Sequence, residues 1–194
     1  MRTLSLAPCV VGVLLASGIA SAAPAEVAGC AKCHGDNGFN QKGEVPTIAG
    51  ASEAYLEAQM SAYQKGERPC AKMSDTDMCE AAKKLSPAQV KTTATYFASQ
   101  KFIAAPQTID AALAAKGKAL HQAHCGVCHS AGGGEPADDA GILAGQWQNY
   151  LRMSLQEYAA GKRAQPDKMK RQTAQLSSDA INALVAFYAS EGSR

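Results

Sequence analysis

Two short stretches constrain this chain more than any others: Cys30-Ala31-Lys32-Cys33-His34 and Cys125-Gly126-Val127-Cys128-His129. Two thiols three residues apart on one helical turn reach the two vinyl groups of one porphyrin and form thioethers. The His that follows is then held beneath the iron and binds it through an imidazole nitrogen. A single CxxCH arises by chance; two copies, each inside a longer repeat, do not. The spacing predicts two covalently attached haem c groups, one on Cys30 and Cys33 with His34 as iron ligand, the other on Cys125 and Cys128 with His129.

The repeat extends well beyond these motifs. A shift of 95 residues carries Cys30, Cys33 and His34 onto Cys125, Cys128 and His129, and Ile48-Ala49-Gly50 onto Leu143-Ala144-Gly145. The same shift carries Tyr55-Leu56 onto Tyr150-Leu151, and Tyr63, Gly66 and Arg68 onto Tyr158, Gly161 and Arg163. Further on the shift falls to 91, matching Leu85-Ser86 with Leu176-Ser177 and Tyr96-Phe97-Ala98-Ser99 with Phe187-Tyr188-Ala189-Ser190. The first half therefore carries four extra residues between Arg68 and Leu85, the interval that holds Cys70 and Cys79. Self-similarity of this length implies two copies of one structural unit.

Each half reads as helices joined by loops, with no convincing alternation of a strand. A short helix from Pro24 to about Cys33 carries the first motif, and 35–50 is a loop. Ser52 caps a helix to about Lys65, with Tyr55, Leu56, Met60 and Tyr63 on one face and Gly66 as its stop. After a loop or short helix over 67–84, Ser86-Pro87-Ala88-Gln89 opens another helix with a capping box and Pro at the first position, turning Val90, Ala94 and Phe97 inward. The second half begins with a longer helix from Asp110 to about Cys128. A loop opening at Gly132-Gly133-Gly134 follows, then a helix from about Gln146 to Ala160, a further loop, and a last helix from Ser178. In that helix Ile181, Leu184, Val185 and Tyr188 form one apolar stripe. The fold class expected is all-α, with a first haem-binding domain over 23–101, a linker over 102–109 and a second domain over 110–194.

Residues 1–22 have the form of a secretory signal: Arg2, an apolar run from Leu4 to Ile19, and the small-x-small site Ala20-Ser21-Ala22. Export to the periplasm follows, with no stable membrane insertion after cleavage, since no other segment is long and apolar enough to span. Export also orders the cysteines. Of seven, Cys9 leaves with the signal and four belong to the haem motifs, so Cys70 and Cys79 are expected to form a disulfide in the oxidising compartment. The net charge of +2 gives no case for nucleic-acid binding. Aromatic residues make up only 6%, thin for two cores unless each encloses a porphyrin.

An electron-transfer haem needs a sixth ligand, and the repeat selects it. Met78 and Met169 are matched by the shift of 91, and each lies eight residues before its capping serine, Ser86 or Ser177. Met73 has no counterpart. The expected iron pairs are thus His34 with Met78 and His129 with Met169; a thioether ligand raises the potential relative to bis-His ligation. Met60 and Met153 read as packing residues in helices, and His121 and His124 as surface or packing residues. Zinc on four Cys and two His is the rival use, but export, a His directly after each pair and a downstream Met in each half all favour haem. A thioredoxin-like use of CxxC would want a βαβ setting, which is absent here.

These residues resemble the diheme class I c-type cytochromes, the cytochrome c4 group, and more closely the cytochrome subunit of flavocytochrome c sulfide dehydrogenase. The likeness lies in Pro46-Thr47-Ile48-Ala49-Gly50 with Tyr55-Leu56 and Gly66-Glu67-Arg68-Pro69, in Tyr96 to Phe102, and in Ile142-Leu143-Ala144-Gly145-Gln146-Trp147 with Tyr150-Leu151. It covers nearly all of the chain after residue 22. The resemblance implies two tandem class I cytochrome c domains related by an approximate two-fold, one haem c in each. It also implies a carrier of single electrons without an active site of its own, and a secreted FAD-binding flavoprotein as partner, with electrons passing from sulfide through flavin to the haems. A free-standing cytochrome c4-like carrier exchanging electrons with other redox proteins, such as a terminal oxidase, is the alternative. A diheme peroxidase would need an open iron position, which matched Met ligands in both halves argue against. In class I cytochromes a Pro carbonyl often accepts the proximal His proton; Pro46 suits this role, whereas its repeat partner is Gly141. Replacing Cys33 by Ser is expected to cut covalent haem to about half, read by pyridine haemochrome assay; retention of both haems would contradict the motif assignment.

Overall fold

The structure, a computed structural model, describes residues 23–41, 43, 45–70 and 77–192. The proposed signal segment and Met73 lie outside this range. Among the described residues there is no strand; the chain forms nine helices and one 3-10 turn. In the first half these are α1 (Val27–His34), α2 (Glu53–Lys65), α3 (Met78–Lys83) and α4 (Pro87–Ala98). In the second half they are α5 (Ala111–His124), the four-residue helical turn α6 (Ser130–Gly133), α7 (Gln148–Ala159), α8 (Asp167–Thr173) and α9 (Ser178–Glu191), with the 3-10 turn at Pro136–Asp138.

Local chemistry sets most helix ends. The Ser52 hydroxyl accepts from the Tyr55 N–H at 3.1 Å to start α2, and Gly66, with φ 72°, ends it in the left-handed conformation that only glycine adopts cheaply. Ser86 and Gln89 form the expected reciprocal capping box of α4. The side chains of Asp77, Asp110 and Ser177 each accept from the backbone N–H three residues on and so cap α3, α5 and α9.

Four boundaries depart from the sequence reading. α1 begins at Val27 rather than Pro24, because the Pro24 carbonyl closes a turn onto the Val27 N–H at 3.0 Å. α5 stops at His124, so the second CxxCH motif is not helical: the N–H groups of Cys125 and Gly126 both donate to the His121 carbonyl at 2.8 Å, and the chain turns there. α7 starts at Gln148 because Gln146 is engaged elsewhere through its side chain. α8 occupies a stretch read as loop; its signal was Pro166 before Asp167, with Lys170 and Arg171 in the last turn, the charge order that suits a helix dipole.

In each half two helices flank a short one: α3 packs on α2 and α4 on α2, while α8 packs on α7 and α7 on α9. α5 lies along α9, where Gly117 permits the approach; a Cβ there would fall 1.9 Å from the Ala183 carbonyl oxygen. α9 is buried nearly all round, with Ile181, Leu184, Val185, Phe187 and Tyr188 at 5% exposure or less. Each such large side chain contributes roughly 1.5–3 kcal/mol on burial. The repeat is visible in the backbone: Ile48 and Ala49 donate to the Gly38 carbonyl as Leu143 and Ala144 donate to that of Gly133. Likewise Gly50 donates to Phe97 as Gly145 does to Tyr188.

The halves meet through polar groups. Gln146, 2% exposed, accepts from the Thr47 N–H at 2.9 Å and donates to the Thr47 carbonyl at 2.8 Å. Trp147 stacks on Phe39 and its indole N–H donates to the Asn40 carbonyl at 3.0 Å. The Gln146→Ala variant leaves both Thr47 backbone groups buried without partners. A loss of about 2–3 kcal/mol is expected, measured by urea denaturation of the holoprotein against its parent.

Candidate haem sites and the interface between them

In the first half the motif sits on α1. Cys30 and Cys33 are half-buried thiols, and Cys30 donates to the Glu26 carbonyl at 3.7 Å. Asn40 donates to the Cys33 carbonyl, tying the following loop to the end of the helix. His34 is 5% exposed, and its Nδ1 lies 3.0 Å from the Pro46 carbonyl, as expected. That contact places the ring proton on Nδ1 and leaves Nε2 as a lone-pair donor. Burial holds the His34 imidazole below its ordinary pKa; the Pro46 bond opposes this and Arg68 adds to it. The ring is therefore neutral, the form that binds a metal.

The second motif has the same residues on a different backbone. Cys125 is half-buried, Cys128 exposed, and Val127 is 95% exposed. The His129 N–H donates to the Cys125 carbonyl at 3.0 Å, and Asp138 accepts from both the N–H and the hydroxyl of Ser130 at 2.6 and 2.8 Å. His129 Nδ1 is buried with no hydrogen-bond partner. Burial, then His121, keep this imidazole below its usual pKa, with Asp138 acting the other way. The expected difference between the halves is thus present: the Pro46 carbonyl holds one ring, and among the described residues the Nδ1 of the other has no hydrogen-bond partner.

Met78 is the first residue of α3 and half-buried, packed with Met60 against Tyr63, Cys79 and Ala82. Met169 is half-buried on α8. The two matched sulfurs thus lie on the short helices of the two halves, each of which rests on the preceding long helix. Met153 is half-buried on α7. His121 is buried against Phe187 and Tyr188, with its Nδ1 3.2 Å from the Tyr188 hydroxyl, so it packs rather than offering a free ring; His124 is exposed. Cys70 and Cys79 form a disulfide with Cα atoms 5.5 Å apart. Asp77 lies close to both sulfurs, but thiols bonded to each other offer no thiolate to a metal.

Between the halves lies a cluster that was not singled out from the sequence as functional. Arg68, 6% exposed, lies over the Tyr63 ring at 4.4 Å and donates to Gln59 at 2.8 Å and to the Tyr150 hydroxyl at 3.2 Å. Its repeat partner Arg163, 4% exposed, lies over Tyr158 at 4.4 Å and donates to Gln59 at 2.6 Å and Ser154 at 3.1 Å. The repeat did carry a signal: each half places Tyr and Arg five residues apart, at 63 and 68 and at 158 and 163. The one carboxylate paired with these guanidiniums among the described residues is Glu157, 3.9 Å from Arg163. Burial pushes the Tyr150 phenol up, but Arg68 and then Arg163 outweigh it and bring it down to about 7. Tyr55 beside it goes the other way, raised by burial and by Tyr150.

This arrangement fits two haem c groups. Each half presents a pair of thiols outside any disulfide followed by a neutral imidazole, that of His34 buried and that of His129 half-buried. The interface holds two buried guanidiniums against one paired carboxylate, Glu157, among the described residues, which suits propionates. Burying cations without anions is costly.

The model of the family described as cytochrome c matches residues 114–190. The chain is 31% identical to cytochrome c4 of Pseudomonas aeruginosa over 189 residues, covering 91% of this chain and 90% of that protein. It is 33% identical to a protein of Thiomonas intermedia described as a thiosulfate dehydrogenase electron acceptor, covering 82% of this chain and 76% of the other. The crystal structure of reduced recombinant cytochrome c4 from Pseudomonas stutzeri superposes with a TM-score of 0.69 at 28% identity, over 84% of this chain and 94% of that one. With two CxxCH motifs, a repeated all-helical fold and relatives alike over nearly their whole length, the chain belongs to the cytochrome c4 family of diheme c-type cytochromes.

Proposed function

We propose that the chain is a periplasmic carrier of single electrons that accepts them from a dehydrogenase of inorganic sulfur compounds. Cys30 and Cys33 hold one haem and Cys125 and Cys128 the other. His34 and Met78 would hold the iron in the first domain, 23–101, and His129 and Met169 in the second, 110–194. The observation that carries the ligand assignment is the recurrence of one set: a thiol pair, a neutral His directly after it, and a half-buried Met on a short helix at matched positions. When bound, each haem iron supplies one-electron exchange between Fe(III) and Fe(II). The protein's share is orientation and electrostatics. His34 donates its Nδ1 proton to Pro46, which fixes the ring and raises the basicity of Nε2. Arg68 and Arg163 supply positive charge for carboxylates that approach the interface. Export rests on the signal-like segment 1–22; among the described residues no helix is long and apolar enough to cross a membrane.

The sulfur-compound donor is supported by the likeness to the Thiomonas acceptor. A second reading, a subunit bound to an FAD flavoprotein that oxidises sulfide, is supported by the sequence resemblance in the stretches around Pro46–Gly50 and Ile142–Trp147. Gentle affinity purification from the native periplasm, followed by a flavin-and-haem spectrum, separates the two. Haem without flavin, reduced on adding a co-purified thiosulfate-oxidising fraction, is the expected result; stoichiometric flavin would replace it with the flavocytochrome reading. For the ligands, Met78→Ala is expected to remove the Met–iron charge-transfer absorbance of one haem and Met73→Ala to leave both. The opposite pattern would move the ligand to Met73.

A further inference from the structure

α3 has six residues, far too few to hold its place by helix propensity alone. Its position depends on its ties to the rest of the domain. At its C-terminal end Gln64 of α2 donates to the carbonyls of Ala82 and Leu85 at 2.9 and 3.1 Å. At its N-terminal end, where Met78 sits, the Asp77 cap is local to the helix, and the long-range tie is the bond from Cys79 to Cys70. Cys79 is 5% exposed and wedged against Tyr63 and Ala82. Cys70 follows two residues after Arg68, which is held by Gln59 and by Tyr150 of the other half. The bridge therefore runs from a fixed point at the domain interface to the residue next to Met78.

The second half makes the same tie without a covalent bond. Under the shift of 95, Cys70 falls on Gln165. Gln165 donates to the Tyr158 carbonyl of α7 at 2.9 Å and accepts from the Thr173 hydroxyl of α8 at 2.8 Å, strapping the short helix that carries Met169 to its neighbour. The chain from arginine to methionine is four residues longer in the first half. Added length leaves more conformations to suppress, and a covalent bridge removes them.

We propose that the Cys70–Cys79 disulfide is a positioning device for the Met78 sulfur, doing in the first domain what the Gln165 strap does in the second. This rests on Met78 being the sixth ligand of the first haem. Reduction of the bridge takes two electrons from a thiol, which becomes a disulfide, or from a phosphine, which becomes the phosphine oxide with oxygen from water. The two protons come from the thiol or the water, and two thiols result, which alkylation or replacement by Ser keeps from the iron. Without the bridge the Met78 sulfur is held less often at the iron, so an external ligand competes more successfully at that haem alone.

The test uses the oxidised diheme protein and imidazole as the competing ligand. In the Cys70→Ser/Cys79→Ser variant one of the two haems is expected to bind imidazole on the order of tenfold more tightly or better. The Met–iron absorbance of that haem falls at lower imidazole, and the other haem titrates as in the parent. Two haems titrating as in the parent would overturn the proposal. Met78→Ala with the bridge intact separates this failure from failure of the ligand assignment: loss of one Met–iron band upholds the ligand, and retention of both removes the basis of the proposal. Should the double variant not assemble, the parent holoprotein is reduced anaerobically with a phosphine, alkylated and reoxidised at the iron, and the same titration is read with the same two outcomes.

Discussion

The contact from His34 Nδ1 to the Pro46 carbonyl is the one on which the rest of the first site depends. It sets which ring nitrogen is left for a metal, and it requires the loop after α1 to return to the helix it left. That return is held from two directions. Within the domain, Ile48 and Ala49 donate to the Gly38 carbonyl. From the other domain, Gln146 clamps both backbone groups of Thr47, the residue after Pro46. The first imidazole is therefore oriented in part by a side chain of the second domain, and the pairing of the halves belongs to the site rather than to packing alone.

The second site lacks this support for a steric reason. Gly141, at the position matched to Pro46, has φ +73°, and a Cβ there would fall 2.6 Å from the Tyr55 ring. Proline, with φ near −65°, cannot take that backbone conformation. The tyrosine that presses on Gly141 belongs to the interface cluster with Tyr150, so bringing the domains together displaces from the second half the residue that supports its counterpart in the first. The orphaned His129 Nδ1 and the non-helical path of Cys125 to Cys128 belong to the same divergence of two units that began alike. What the two halves keep in common at the interface is a pair of buried guanidiniums, Arg68 and Arg163, with one paired carboxylate, Glu157, among the described residues. A haem propionate or a phenolate at Tyr150 answers that charge; both at once would repel each other across a dry interface.

Much of this was legible in the chain of residues. The CxxCH spacing determines the cofactor because thioether chemistry admits few geometries. The repeat determines that there are two units, and matched positions single out Met78 and Met169. Ser52, Gly66, Ser86 with Gln89, and Ser177 mark helix ends because a cap is a bond between near neighbours. The cysteine count implied the Cys70–Cys79 bridge. What remained hidden involves partners far apart in sequence. The repeat pairs Arg68 with Arg163 but gives them no partners, because Tyr150 and Gln59 are brought beside them only by the fold. The helical limit of α5 was overestimated because no local rule stops a helix where two N–H groups converge on one carbonyl. Gln146 looked like the start of a helix and is instead a clamp on residue 47. Local spacing and covalent chemistry determined the cofactor and the helices; the tertiary structure alone decided how one domain supports the other, because burial and charge balance depend on neighbours that sequence order does not specify.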